Sequence, residues 1–233
     1  MIRKIIIAID GYSSTGKSTV ARQLAKELGY IYVDTGAMYR AVTLYAMQQG
    51  FIDENQFDKD ALAKNLHLIN IRFEVSSSTG LAEVFLNDVN VEKEIRTLKV
   101  SRQVSPVAAI SSVRRKLVEQ QQLMGKNSGI VMDGRDIGTV VFPNAELKLF
   151  MTATAKDRAE RRYKELIERG EDVTYEDVLK NVVNRDHIDS TRKDSPLRKA
   201  DDAIKIDNSN LTLVEQFDQI LNIAKKTITK INS

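Results

Sequence analysis

Apolar positions in this chain follow two rhythms. Short unbroken or β-branched runs occupy residues 4–9, 30–33, 129–132, 147–151 and 203–206, and the first of them contains Ile5-Ile6-Ile7-Ala8-Ile9 without a polar break. Runs of this length and make-up predict strands buried on both faces. Between them, apolar residues recur at helical spacing over 17–28, 37–49, 112–124, 156–168, 175–188 and 213–228. Strands alternating with helices predict an α/β fold, a five-stranded parallel sheet with helices on both faces. A second texture interrupts it. Residues 68–75 and 81–86 alternate or run β-branched, Ser76-Ser77-Ser78-Thr79-Gly80 separates them as a hairpin loop, and the turn signal Asn87-Asp88-Val89-Asn90 follows. That pattern predicts a small antiparallel β insert within about 60–100.

The junction of the first strand and first helix carries chemistry. It reads Gly11-Tyr12-Ser13-Ser14-Thr15-Gly16-Lys17-Ser18-Thr19, a full G-x-x-x-x-G-K-[ST] phosphate loop in the strand–loop–helix setting that it requires. Glycines let the backbone curl so that its N–H groups face phosphate oxygens. The helix opening at Lys17 adds its positive end, the Lys17 ammonium adds a full charge, and Ser18 can place a hydroxyl on Mg²⁺. The plainer alternative is a Gly-Ser-Thr turn that merely joins two elements.

Composition narrows the rest. The chain has 233 residues, of which 42% are hydrophobic and 29% charged, the make-up of an ordinary soluble globular protein with one core and an elaboration. Cys is absent, which excludes disulfides and thiolate metal sites and suits a reducing, cytoplasmic setting. No stretch approaches a membrane span, and the short N-terminal apolar run is too brief for a signal-peptide core. A net charge of +3 gives no reason to expect nucleic acid as the main partner. His67 and His187 stand isolated and attract no role.

Basic residues gather where strands end. Asp34-Thr35-Gly36-Ala37-Met38-Tyr39-Arg40 follows the second strand and Gly134-Arg135-Asp136 the third. Arg185, Asp189 and Arg192 fall at i, i+4 and i+7, on one helical face. Open parallel sheets bind ligands at those strand ends, and guanidinium groups there suit a second phosphate. Ordinary ion pairing, such as Arg185 with Asp189, is the competing reading. Arg158, Arg162 and Arg169 share one sector of a helix taken over 156–169, either as a lid or as solvated surface.

The phosphate loop, the Asp34–Arg40 segment, Glu94-Ile95-Arg96, Ser105-Pro106-Val107-Ala108-Ala109, the run from Asp133 to Pro143, and Arg185-Asp186 with Asp189 and Arg192 together resemble the bacterial cytidylate kinases. These are nucleoside monophosphate kinases of the P-loop class, and the resemblance covers essentially the whole chain. It implies a core domain at 1–34, 126–154 and 190–233, a monophosphate-binding domain at 35–125 that includes the insert, and a short helical lid with flanking helices at 155–189. It implies phosphoryl transfer from ATP–Mg²⁺ to CMP or dCMP by a protein expected to be monomeric. ATP would contact Gly11 to Thr19 together with Arg158 and Arg162. Ser105, Arg114 and Asp136 would read cytosine. Thr35, Tyr39 and Arg40 would hold the monophosphate, Arg135, Arg185 and Arg192 would surround its phosphate and the transferring group, and Asp189 would contact the sugar. Lys17, Arg135, Arg185 and Arg192 are the implied catalytic set. Family members often carry a small residue where Ser18 stands, so Ser18 and Thr19 both offer a hydroxyl to the metal.

Simple chemistry accompanies these assignments. A carboxylate such as Asp136 satisfies the cytosine amino group and Arg114 an acceptor, whereas uracil presents the opposite pattern. Three positions keep a structural alternative: Ser105 as a helix N-cap before Pro106, Thr35 as an N-cap, and Tyr39 as core packing. No Ser-His-Asp or Cys-His grouping supplies a general base, and a phosphate acceptor needs none because it is already mostly dianionic near pH 7. Two other functions remain open here, a small-molecule hydroxyl kinase with Asp34 or Asp136 as base, and a P-loop nucleotide-binding regulator without transfer.

Overall fold

Strand β1 (Ile6–Gly11) lies at the centre of the molecule because its residues have apolar partners on both sides. Ile7 and Ile9 face a cluster with Val20, Leu24 and Ile220, while Ala8 faces Met38, Val42 and Ile137. Helices α1 (Lys17–Leu28) and α8 (Leu213–Asn232) cover the first face, and α2 (Thr35–Gln48) and α5 (Ser111–Met124) cover the second. Truncating a fully buried side chain such as Leu24 to alanine would cost about 2–5 kcal/mol. In the computed structural model, which describes residues 3–75, 82–127 and 129–233, five parallel strands run in the order β2-β6-β1-β7-β8. These are β2 (Ile31–Asp34), β6 (Ile130–Gly134), β7 (Leu147–Thr152) and β8 (Ile204–Asp207) around β1. The expected fold class is therefore borne out.

The insert is present as a separate antiparallel sheet of β3 (Ile71–Val75), β4 (Ala82–Leu86) and β5 (Val89–Asn90). Asn87 and Asp88 both have positive φ, 47° and 67°, which suits the tight turn that joins β4 to β5. The loop expected at 76–80 lies outside the described residues. Ile71, Val84 and Leu86 join the same apolar cluster as Ile130 and Met132, so the insert packs onto the main core.

Helix α6 (Ala155–Glu168) and α7 (Tyr175–Thr191) form where helical spacing predicts them, each opened by a threonine N-cap, Thr154 and Thr174. Two helices carry no sequence expectation, α3 (Lys59–Asn65) and α4 (Leu98–Ala108). The inward face of α4 includes Ser101 and Ser105, and Pro106 sits inside its last turn, so its pattern resembles a loop. Ser105 is thus not an N-cap; Thr97 caps α4 by accepting from the Val100 amide. Thr35 is also not a cap. Asp34 holds that place, accepting from the Ala37 amide at 2.8 Å.

Candidate active site

The phosphate loop bends where glycine is needed. Gly11 has φ +148°, and a Cβ there would stand 2.1 Å from the Met151 carbonyl oxygen of β7. Gly16, at φ +80°, leads directly into α1. Ser13, Ser14, Gly16, Lys17, Ser18 and Thr19 line a cleft of about 770 Å³, while Gly11, Tyr12 and Thr15 shape the turn beneath them. Lys17 Nζ donates to the Tyr12 carbonyl at 2.6 Å. Burial, reinforced by the nearby Arg135 charge, lowers its pKa from 10.5 to about 7.

Two aspartates close the carboxyl ends of β2 and β6. Ser18 Oγ donates to Asp133 Oδ2 at 2.9 Å, and the Tyr32 hydroxyl donates to Oδ1 at 2.9 Å. Burial and the neighbouring Asp34 raise the Asp133 pKa above the usual carboxylate value. Thr19 is exposed and makes no comparable contact, so the geometry favours Ser18 for a metal. Asp34 accepts from Arg40 Nη2 at 3.1 Å and from Arg96 Nη1 at 2.8 Å. Burial alone would raise the Asp34 pKa, but the two guanidinium charges overcome it and hold it far below normal. Burial and the adjacent Arg96 bring Arg40 down to about 10, and Arg40 Nε is left without a partner.

Asp189 of α7 organises a second group. Its Oδ2 accepts from Arg135 Nε at 2.9 Å, its Oδ1 accepts from the Ser105 hydroxyl at 2.9 Å, and Arg192 Nη1 stands 3.9 Å away. The competing reading, an Arg185–Asp189 ion pair, does not form; Arg185 Nη1 donates to Ser101 Oγ at 2.9 Å instead. Arg192 sits just past the end of α7, not on its face, and donates to the Ser195 carbonyl through Nε and Nη2. Deeper in the cleft wall, Arg114 and Asp136 form a buried ion pair, and the Arg114 guanidinium lies 5.4 Å from the Tyr39 ring centroid. Tyr39 therefore both packs in the core and lines the cleft, where its hydroxyl has no partner. Thr35 Oγ1 donates to the Asp133 carbonyl at 2.7 Å, joining α2 to β6.

Below Asp136, the buried Asp10 accepts amide hydrogens from Ile137 and Gly138, each at 2.7 Å, and so fixes the turn after β6. Burial raises Asp10 to about 7. Arg158 and Arg162 divide in role. Arg158 pairs with Asp186, donates to the Ser13 carbonyl at 3.4 Å and lies 5.1 Å from the Tyr12 ring, bracing the loop from behind. Arg162 lines the cleft and donates to the Arg96 carbonyl at 2.9 Å. Arg169 also lines the cleft and pairs with Glu165 on its own helix.

The sequence alone assigns no role to Asp10, Asp133, Arg96, Arg161 or Asn208, and offers Asp34 only as the base of an alternative hydroxyl kinase. Asp34 and Asp133 had a usable signal, an acid at the carboxyl end of a strand, and Arg96 lies within the quoted Glu94-Ile95-Arg96. Arg161 and Asn208 had none, since they meet only through folding: Arg161 Nη1 donates to Asn208 Oδ1 at 3.2 Å, and Asn208 Nδ2 donates to the Thr15 carbonyl at 2.6 Å. Eleven cationic side chains line the cleft against eight carboxylates, so positive charge remains for an anionic ligand.

A parallel sheet with a phosphate loop at its central strand, opening into one long cationic cleft, is the architecture of a P-loop kinase. Within that class the chain belongs to the cytidylate kinase family, whose model matches residues 7–226. A cytidylate kinase of Flavobacterium psychrophilum is 64% identical over 95% of this chain and 98% of its own length. Those of Flavobacterium johnsoniae and Parabacteroides distasonis are 62% and 57% identical, each over 97% of this chain and 99% of their own.

Proposed function

We propose that the protein transfers the γ-phosphoryl group of ATP to CMP or dCMP, giving ADP and CDP or dCDP, by in-line displacement without a general base. The observation that carries this reading is the buried Arg114–Asp136 pair beside the Asp189 cluster, a polar wall separate from the phosphate loop. Asp136 can accept from the cytosine amino group and Arg114 can donate to a ring acceptor. A uracil would leave these buried groups mismatched, which supports discrimination by orders of magnitude. Arg40, with its open Nε, and Arg135, Arg185 and Arg192 supply cations for the acceptor phosphate.

Ser18 and Asp133 would hold Mg²⁺, since a hydroxyl and a carboxylate lacking an ion-pair partner among the described residues are suitable oxygen donors. When bound there, the ion neutralises charge on the β- and γ-phosphates. The chain's own groups do the rest. The loop amides and Lys17 orient the triphosphate, Arg135, Arg185 and Arg192 offset charge on the group in flight, and alignment supplies most of the acceleration. We divide the chain as the resemblance implies, into a core at 1–34, 126–154 and 190–233, an acceptor domain at 35–125 and a lid at 155–189. The Arg162 bond to the Arg96 carbonyl links lid to acceptor side and supports closure that excludes water.

A hydroxyl kinase would need a free carboxylate base. Asp34 is committed to Arg40, Arg96 and the Ala37 amide, and Asp136 to Arg114, which speaks against either in that role. A non-catalytic nucleotide sensor would have no use for a second cationic nest. The test is ADP release with CMP, dCMP, UMP, AMP and a shikimate-like alcohol as acceptors. CMP or dCMP should stimulate turnover well above the others; equal or better turnover with UMP, AMP or the alcohol overturns the substrate assignment.

A further inference from the structure

Seven arginines of the cleft lie within ion-pair distance of a carboxylate: Arg40 and Arg96 of Asp34, Arg114 of Asp136, Arg135 and Arg192 of Asp189, and Arg162 and Arg169 of Glu165. Arg185 is held another way. Its Nη1 donates to the Ser101 hydroxyl at 2.9 Å, and that hydroxyl donates onward to Asn181 Oδ1 at 3.1 Å. Among the described residues no carboxylate forms an ion pair with Arg185, and its Nε is buried without a partner. Ser101 is 1% exposed and Asn181 is 8% exposed. Asn181 and Arg185 are one turn apart on α7, so Ser101 of α4 meets both across the helix–helix contact.

We infer that Ser101, oriented by Asn181, is a positioning residue that aims the Arg185 guanidinium at the transferring phosphate while leaving its charge intact. The inference rests on the proposed role of Arg185 in phosphoryl transfer. A carboxylate in place of Ser101 would hold the guanidinium equally well but cancel the charge that the phosphate requires. A hydroxyl is neutral, and its single proton goes to Asn181 Oδ1, which leaves its lone pairs facing Arg185. The other groups around Arg185 are Arg135 after β6, Arg40 on α2, Arg162 on α6 and Asp189 on its own helix. Burial, then Arg135, lowers the Arg185 pKa from its usual value. The Ser101 lone pair favours the charged form and offsets part of that cost.

The experiment compares Ser101→Ala, Asn181→Ala, the double variant and Arg185→Ala in the full chain, with steady-state rates and a melting midpoint for each. Ser101→Ala should lower kcat on the order of tenfold or more, as loss of a hydrogen bond to a charged group does, with KM for ATP nearly unchanged. Ser101→Thr, which keeps a hydroxyl at that place, should recover most of the rate, a rescue that a purely structural loss would not produce. The double variant should be no worse than Ser101→Ala, because the chain of contacts runs through that hydroxyl. If Arg185→Ala collapses turnover while Ser101→Ala keeps its rate, the positioning role is overturned and the Arg185 assignment survives. If Arg185→Ala itself leaves kcat intact, the underlying assignment fails. Should Ser101→Ala not fold, Ser101→Thr and Asn181→Ala decide: retention in the first and loss in the second support the role, and the reverse order overturns it.

Discussion

Lys17 shows what burial does to a cation that the proposal sets against a polyanion. Removed from water and set near Arg135, it loses its proton near pH 7 in the free protein instead of near 10.5. A triphosphate beside it favours the ammonium, so the pKa rises on binding and a proton is taken up above pH 7. ATP affinity should therefore fall as pH climbs from about 7 to 8.5, by up to about tenfold per unit. Calorimetry near pH 8 in two buffers of different ionisation heat should report uptake approaching one proton per ATP. No uptake, with affinity flat across this range, would contradict the role of Lys17. Asp34 illustrates the opposite case, since two guanidinium groups keep it ionised. That holds Arg40 and Arg96 in place and removes Asp34 from base chemistry.

Gly11 ends the central strand where it must pass against β7, and side chains are excluded there for two reasons. Its φ of +148° disfavours any L residue, and a Cβ would overlap the Met151 carbonyl oxygen. Gly11→Ala should cost about 3 kcal/mol or more of stability, read as a lowered denaturant midpoint; an unchanged midpoint would contradict this packing. This junction was legible from sequence because an apolar strand, a glycine-bounded loop and an amphipathic helix each have a local signature. Helix α4 was not. Ser101 and Ser105 face inward because they bond Arg185, Asn181 and Asp189, contacts made 80 or more residues away. Their polarity and Pro106 hide the helical period, and so an N-cap stayed open as the structural alternative for Ser105. The insert was legible through its turn residues, with Asn87 and Asp88 adopting the positive φ that such turns need. Asp10 was not, because an acid at the end of a buried strand reveals its purpose only when the amides of Ile137 and Gly138 are seen to converge on it.

Taken as one body, the chain brings the phosphate loop and the Arg114–Asp136 pair into the lining of the same cleft beside the parallel sheet. The arginines that share this lining come from α2, the turn after β6, α7 and its end, and α6. No one element could supply them. Convergence of distant segments builds the cationic lining that the proposal gives to two adjoining phosphates, and Arg162 of α6 is fixed there by its bond to the Arg96 carbonyl. The central claim is that both nucleotides lie in this cleft at once, phosphate to phosphate. A dinucleoside polyphosphate with adenosine at one end and cytidine at the other tests it, because linkage makes the second engagement intramolecular. By calorimetry it should bind on the order of a hundredfold or more tighter than ATP or CMP alone, and compete with both. Binding no tighter than ATP, with displacement of ATP but not of CMP, would contradict the account.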